Sequence, residues 1–401
     1  MTASQERVAP VQPPPVSAFV VIFLARTALN TAFRVVYPFL PAMADGLGLS
    51  VAQAAQVVNA RMVAGLAAPL LGPLSDRYGR RRTLEMALLL MAVAGVILVG
   101  WPVLPAAGLA FGLYGLAKGL ADPAVHAYIG DTVAFERRGR AVGMVELAWS
   151  TSWLVGVPIS GVLIERYGWW APWGALIFIA LGCVPLVRRG LPSPERRRVA
   201  DRKPAWTLVR HVVRCPNARA VLGVTAFFAM SIEVPFIVYG AWLERTFALS
   251  LTGLGIVSVA LGVAEALAEL STVVITDRVG KRRSVLSGLV GLAISLGVLP
   301  VLSSWGLGAT LAGLSLMMFS FEFGIVSLIP LISESVPTAR ATTVALSITV
   351  FSAGRLLGGA LGGWLWQWEQ IAFHSVLGII SVGMAAVLLV GCDERRPQPT
   401  A

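Results

Sequence analysis

Charge is scarce in this chain. Asp, Glu, Lys and Arg make up 13% of its 401 residues, about half the roughly 25% usual in soluble domains. Hydrophobic residues reach 56%, and mean hydropathy is +0.77. Together these values exclude an ordinary soluble globule. Cysteine is nearly absent too: Cys183, Cys215 and Cys392 have no metal-like spacing, so neither a disulfide framework nor a metal centre is expected. With 3 scattered histidines and no Ser/His/Asp constellation, an enzyme is not expected. No Walker loop or other nucleotide fingerprint is present, so no cofactor is implied and ATP is not the energy source. The first sixteen residues are polar and Pro-rich, without a basic segment, short apolar core or cleavage site, and no removable signal peptide is expected. Lysine is rare as well, 3 against 29 arginines, a composition in keeping with a bacterial, GC-rich source.

What the chain does have is long apolar runs. Runs of about 18 to 25 residues suffice to cross roughly 30 Å of hydrocarbon as helix. Twelve are found, at 17–40, 50–75, 83–101, 104–130, 140–164, 169–187, 219–243, 250–276, 284–303, 307–333, 341–366 and 370–391. They lack the alternation of a barrel, and lipid offers backbone groups no partner, so helix is predicted throughout. The net charge of +11 could indicate nucleic acid, but the placement of the cations excludes it. With the N-terminus inside, 25 of the 32 Lys and Arg residues fall in cytoplasmic segments and only Arg166 and Arg245 outside. That is the positive-inside asymmetry, and it puts both termini in the cytoplasm. The predicted organisation is a cytoplasmic tail (1–16), a six-helix bundle (17–187), a cytoplasmic linker (188–218), a second six-helix bundle (219–391) and a tail (392–401). In the linker, Leu208, Val209, Val212 and Val213 oppose Arg210, His211 and Arg214, with Trp206 nearby. The pattern fits either an interfacial helix on anionic lipid or a plain solvated linker.

The two bundles are copies. Gly72-Pro-Leu-Ser-Asp76-Arg77-Tyr-Gly79-Arg80-Arg81-Arg82 returns 201 residues later as Val273-Val-Ile-Thr-Asp277-Arg278-Val-Gly280-Lys281-Arg282-Arg283. Leu49-Ser50 returns as Leu249-Ser250, Asp131 as Glu334, and Ser152, Gly156, Ser160 as Gly354, Gly358, Gly362, all at nearly the same offset. A repeat this long means two folded halves. Physically, Gly72 lets two helices approach, Asp76 can accept from backbone N–H groups or an arginine, and Gly79 permits a turn at positive φ. Arg77 and the cations after it can reach carboxylates such as Asp131. A charge cluster of this kind is either a gate between the halves or a positive-inside hairpin with no switching role.

These residues resemble the major facilitator superfamily of secondary transporters, and the resemblance covers nearly the whole chain. The loop after the second span matches that superfamily's G-x-x-x-D-R-x-G-R-R/K pattern through Gly72, Asp76, Arg77, Gly79 and Arg80; in the second copy Val273 replaces the first Gly and Lys281 the Arg. The resemblance implies an all-α integral membrane fold of twelve helices in two six-helix bundles related by pseudo-two-fold symmetry. It also implies that spans one, four, seven and ten line a central cavity. Proton-coupled exporters of the superfamily carry Gly-Pro-x-x-Gly-Gly in span five; here Gly156-Val157-Pro158-Ile159-Ser160-Gly161 keeps Pro158 and Gly161. Span four of the superfamily usually bears an arginine where this chain has Gly115, with Lys118 just before Gly119. In span eleven Gly354, Gly358 and Gly362 form a stripe for close helix packing.

An ionised side chain at the bilayer centre costs at least roughly 2.5–3.5 kcal/mol, so such groups face a cavity or one another. Five cations lie within spans (Arg26, Arg34, Arg61, Lys118 and Arg355), against six acids (Asp122, Glu146, Glu233, Glu265, Glu269 and Glu322). Arg26, Asn30 and Arg34 recur every fourth residue, as do Lys118, Asp122 and His126, so each trio shares a helix face. These trios read either as a static ion-pair network or as groups that orient a substrate beside a titrating carboxylate. Glu233 and Glu322 are the preferred proton carriers, having the fewest cations near them in sequence, with Asp122 and Glu146 as further candidates. Arg355 is expected to pair with Glu265 or Glu269, and Arg61 across the halves or with Asp122. His126 reads as a hydrogen-bonded structural residue beside Asp122 or as a proton shuttle. The expected function is proton-coupled efflux of a small amphipathic compound by alternating access, from a functional monomer in a bacterial inner membrane. Proton-coupled uptake of a small organic anion or polar metabolite, and lipid translocation, are the alternatives.

Overall fold

The computed structural model describes residues 16–67, 71, 74–75, 77–133, 135–191 and 205–392. Residues 1–15 and 393–401 of the expected tails, residues 192–204 of the linker, Gly72 and Asp76 fall outside these residues, as does the Asp277 side chain. Among the described residues no strand occurs, and ten helices are long and apolar enough to cross a membrane, from Arg80–Gly100 through Ile371–Val390. Two interrupted segments precede them: Val16–Arg34 with Leu40–Leu47, and Val51–Asn59 continuing through Ala60–Met62 to Val63–Leu66. The architecture is an all-α membrane fold of twelve helices in two six-helix bundles related by a pseudo-two-fold axis.

The duplication is visible atom by atom. Ser50 caps span two, accepting from the Gln53 N–H at 3.2 Å while its own N–H reaches the Gln53 carboxamide at 2.9 Å, and Ser250 caps span eight by accepting from the Gly253 N–H at 3.1 Å. Such caps satisfy backbone donors that a helix start leaves free. Gly79 and Gly280 stand at φ of 90° and 97° immediately before spans three and nine, a conformation glycine adopts without steric cost. One turn into each helix, Thr83 and Ser284 donate to the Gly79 and Gly280 carbonyls at 3.0 Å.

Four spans depart from the continuous helices expected: span two at the Ala60–Met62 turn, and spans one, seven and five. Span one stops at Arg34 and restarts at Leu40, because Pro38 and Pro41 supply no backbone N–H. Span seven breaks similarly after Pro235, between Phe236 and Tyr239. Span five contains a π-helical turn, Ser152–Gly156, just before Pro158.

The halves meet at one end, the end of the Leu49-Ser50 and Leu249-Ser250 turns. There a Cβ on Gly161 would lie 2.7 Å from the Leu251 carbonyl oxygen, one on Gly240 2.3 Å from that of Pro38, and one on Gly255 3.0 Å from the Pro158 Cα. Only glycine permits such approaches. The Glu165 carboxylate accepts the Thr252 N–H at 2.8 Å across the same seam. Below it, Gln56 and Asn59 of span two donate to the Ala360 and Leu356 carbonyls of span eleven at 2.8 and 2.6 Å. The glycines of span eleven serve two faces. Gly354, Gly358 and Gly362 press on span seven in their own half, where added Cβ atoms would lie 2.1, 2.8 and 2.2 Å from the Ala226, Met230 and Val234 carbonyls. Gly359 and Gly363 press on Asn59 and Ala55 of the other half.

The opposite, basic end is different. Arg80 donates to Asp131 at 3.0 Å and Lys281 to Glu334 at 2.6 Å, joining spans three and four, and nine and ten. Arg81 and Arg282 reach the Arg188 and Val390 carbonyls. Among the described residues every ion pair at this end stays inside one half. Asp76 and the Asp277 side chain, on which the expected charge cluster centres, lie outside the described residues. Arg80 rather than Arg77 meets Asp131, because it starts span three on the side of span four; Arg77 and Arg278 are exposed. The helix Ala205–Arg214 docks on the second half here, with Val212 fully buried beside Leu222, Val336 and Ala339 and Trp206 73% exposed.

Candidate functional site

At mid-depth the intramembrane charges gather in three groups. In the first half, Arg26 of span one makes a two-pronged contact with Glu146 of span five, at 2.8 and 3.2 Å, and lies 3.5 Å from Asp122 of span four. Lys118 donates to Asp122 at 2.7 Å and to Asn30 at 2.8 Å, with its ammonium 3.9 Å above the Trp149 ring. His126 bridges the Asp122 carbonyl (2.8 Å) and the Glu146 carboxylate (2.9 Å). The two expected helix faces do converge, and span five supplies Glu146 between them.

The second group joins the halves. Arg34 pairs with Glu265 of span eight at 2.8 Å, donates to the Trp149 carbonyl at 3.0 Å, and sits over the Trp149 and Trp153 rings at 4.3 and 4.9 Å. The third centres on Glu233 of span seven, which is fully buried. It accepts from Arg355 at 2.7 Å and from the Tyr37 hydroxyl at 3.1 Å, and lies 3.8 Å from Arg61. Arg355 also contacts the Tyr37 hydroxyl.

Several expectations are corrected here. Arg355 pairs with Glu233, not with Glu265 or Glu269; Glu265 instead holds Arg34. Of the two partners expected for Arg61, the one across the halves is what it faces, Glu233. Glu233 has two guanidiniums and a phenol around it, although no cation lies near it in sequence, because spans two and eleven bring them in. Glu146 and Asp122 are likewise both occupied by cations. What is left is Glu322 of span ten and Glu269 of span eight, half-buried and without an ion-pair partner among the described residues. Glu269 stands one turn from Glu265 on the same helix.

Arg61 occupies a special place. Where the superfamily pattern leads one to expect an arginine, span four has Gly115, and a Cβ there would lie 2.0 Å from the Arg61 carbonyl oxygen. The missing side chain lets the 3-10 turn Ala60–Met62 press into span four, and span two delivers the guanidinium instead. Tyr37 and Trp149 are central to the site and were not singled out from sequence. Their signal was spacing: Tyr37 stands three residues after Arg34 and four after Phe33, whose ring also faces Arg61.

Exposure shows where this centre opens. Along span four, side-chain exposure rises turn by turn from 11% at Lys118 to 29% at Asp122 and 44% at His126. The direction is toward the basic end, where no ion pair among the described residues crosses between the halves. Toward the other end lie the closed contacts of Gly161, Gly240 and Gln56. Among the described residues the centre is a charged, aromatic-walled cluster whose exposure increases toward the basic end.

Comparison with known proteins agrees with this architecture. The Major Facilitator Superfamily profile matches twice, over residues 19–237 and 221–401. The uncharacterised MFS-type transporter YwfA of Bacillus subtilis is 27% identical over 66% of this chain, a stretch spanning 65% of YwfA's own length. Multidrug resistance protein 2 of the same organism is 22% identical over 88% of this chain and 90% of its own. Among solved structures, a bacterial homolog of the human lysosomal transporter Spinster, in an inward-facing and unoccupied conformation, superposes with a TM-score of 0.79 at 12% identity, covering 95% of this chain and 98% of that one. Twin six-helix halves, a duplicated Gly-Arg turn and two family matches spanning the chain lead to one conclusion: the protein belongs to the Major Facilitator Superfamily, and is a multi-pass membrane transporter, not an enzyme.

Proposed function

We propose that this chain exports a small amphipathic compound in exchange for protons, as a monomer in a bacterial inner membrane. The basic end and both termini lie in the cytoplasm, so the cavity faces inward. The observation that carries this reading is the contrast among the buried charges. All five intramembrane cations face a carboxylate, while Glu269 and Glu322 have no counter-ion among the described residues. A carboxylate at this depth without a partner costs at least about 2.5–3.5 kcal/mol. A proton relieves that cost, and so does a cationic group on a cargo; the two compete for one place. Competition of this kind, with the halves rocking around the site, is sufficient for antiport. Trp149, Trp153 and Phe33 supply an apolar wall for the rest of the cargo. Similarity to a protein named for multidrug resistance supports the export direction.

The gating roles of Gly72, Asp76, Arg77, Gly79, Arg80 and Asp131, and of Asp277, Arg278, Gly280 and Lys281, belong to the same proposal. In the opposite state the basic end would close and bring these charges together across the halves. The test is accumulation of fluorescent amphipathic amines in everted vesicles under an inside-acid gradient. Uptake that collapses with the gradient and is abolished by Glu322→Gln supports proton-coupled export. Absence of gradient-driven uptake, alongside entry into whole cells, would support import.

A further inference from the structure

The charges of the cavity that remain uncompensated are not spread evenly. On one wall, Arg61 is 2% exposed and none of its three guanidinium nitrogens makes a hydrogen bond. Its backbone is fixed by the Gly115 contact, and its guanidinium is wedged between the Phe33 and Tyr37 rings, 4.6 and 4.4 Å from their centroids. The nearest carboxylate, Glu233, is already spent on Arg355 and Tyr37. Two guanidiniums thus share one acid, leaving about one positive charge and three N–H-bearing nitrogens unanswered. A buried donor left without a partner costs roughly 1–3 kcal/mol, more when charged, so this wall is short of an anion. On the other wall the sign is reversed. Glu265 is spent on Arg34, and Glu269 and Glu322 are left over. Glu269 stands one turn from Glu265 on span eight, and the Phe33 ring that faces Arg61 and Arg355 at 4.6 and 5.8 Å also meets Trp149, the ring beneath Arg34, so the two walls adjoin.

We propose that the site takes an amphoteric cargo: an aromatic or apolar body carrying an anionic group, seated at Arg61 and Arg355, and a cationic group, seated at Glu322 and Glu269. A singly charged cargo answers one wall and leaves the other short. A cargo with both charges answers both, and its own net charge stays near zero, which suits passage through a site at mid-depth. Glu233 lies between Arg61 and Arg355 and is their one shared carboxylate among the described residues. The proposal rests on the reading of this cavity as the transport site, but not on proton coupling.

The test is equilibrium binding to the purified full chain, with no gradient, of three probes matched in ring and chain: tryptamine, indole-3-propionate and tryptophan. Wild type is expected to prefer the amphoteric probe over either singly charged one by at least about tenfold. Arg61→Gln should erase its advantage over tryptamine and leave tryptamine binding unchanged. Glu322→Gln should erase its advantage over indole-3-propionate and leave that probe unchanged. Should Arg61→Gln fail to fold, Arg355→Gln, at a partly exposed position, carries the same expectation. The proposal is overturned if tryptamine binds wild type as well as tryptophan does, if no probe binds, or if the folded arginine variants keep the wild-type ratio. Gradient-driven flux of amines with no amphoteric preference would sink this inference and leave proton-coupled export standing; amphoteric preference without proton flux would do the reverse.

Discussion

Arg34 of the first half donates to Glu265 of the second at 2.8 Å, with side-chain exposures of 8% and 1%. Like Arg61 with Glu233, this is a charge pair across the halves removed from water.

Breaking a buried pair by removing one member costs about 3–5 kcal/mol, whereas replacing both members can be nearly neutral. Arg34→Gln and Glu265→Gln should each lower the thermal unfolding temperature in detergent markedly. The double variant should recover much of that loss. A double-mutant cycle checks it; equal and additive losses would mean that the pair is not coupled.

Glu322 and Glu146 should part company. Glu146 holds Arg26 and His126, so Glu146→Gln strands a guanidinium and should destabilise the protein. Glu322 holds no cation, so Glu322→Gln should leave stability unchanged or raise it while abolishing substrate-driven pH change in proteoliposomes. Thermal unfolding and an entrapped pH dye read the two effects.

The glycines of span eleven make a third distinction. Gly354→Ala would push a Cβ to 2.1 Å from the Ala226 carbonyl oxygen within one half, a backbone clash present in every state, and should reduce folded yield. Gly363→Ala would meet Ala55 of the other half at 2.8 Å, a contact made only while that end is closed. It should leave yield largely intact and shift the protein toward the opposite-facing state, measured by accessibility of a cysteine at position 126 to a water-soluble thiol reagent.

Much of this arrangement was legible in the sequence because it is written twice or with a helical period. The Gly79 and Gly280 turns, the repeated Leu49-Ser50 and Leu249-Ser250 starts and the Arg26, Asn30, Arg34 face each follow from local spacing. Partners were not legible, because helix packing and not chain distance chooses them. Glu233, with no cation near it in sequence, is the most heavily paired acid, since Arg61 comes from 172 residues before it and Arg355 from 122 after. Glu322 was singled out on the same argument and does stand without an ion pair. The rule of sequence distance therefore had no physical force in either case. The role of Gly115 was hidden for a related reason: the absence of a side chain signals a neighbour that only the fold identifies.

The central claim is that two homologous halves rock about this cavity, closing one end as the other opens. Its most direct test is a pair of spin-label distances on the full chain in lipid nanodiscs. One pair, Ala52→Cys with Trp368→Cys, spans the end that is closed here; the other, Tyr78→Cys with Val279→Cys, spans the basic end. As pH is lowered from 8 to 5 and as Glu165→Gln removes the carboxylate that caps Thr252, the first distance should lengthen while the second shortens, the two distributions changing in opposite directions. A single unchanged distance at both ends under all these conditions, or both ends lengthening together, would contradict it.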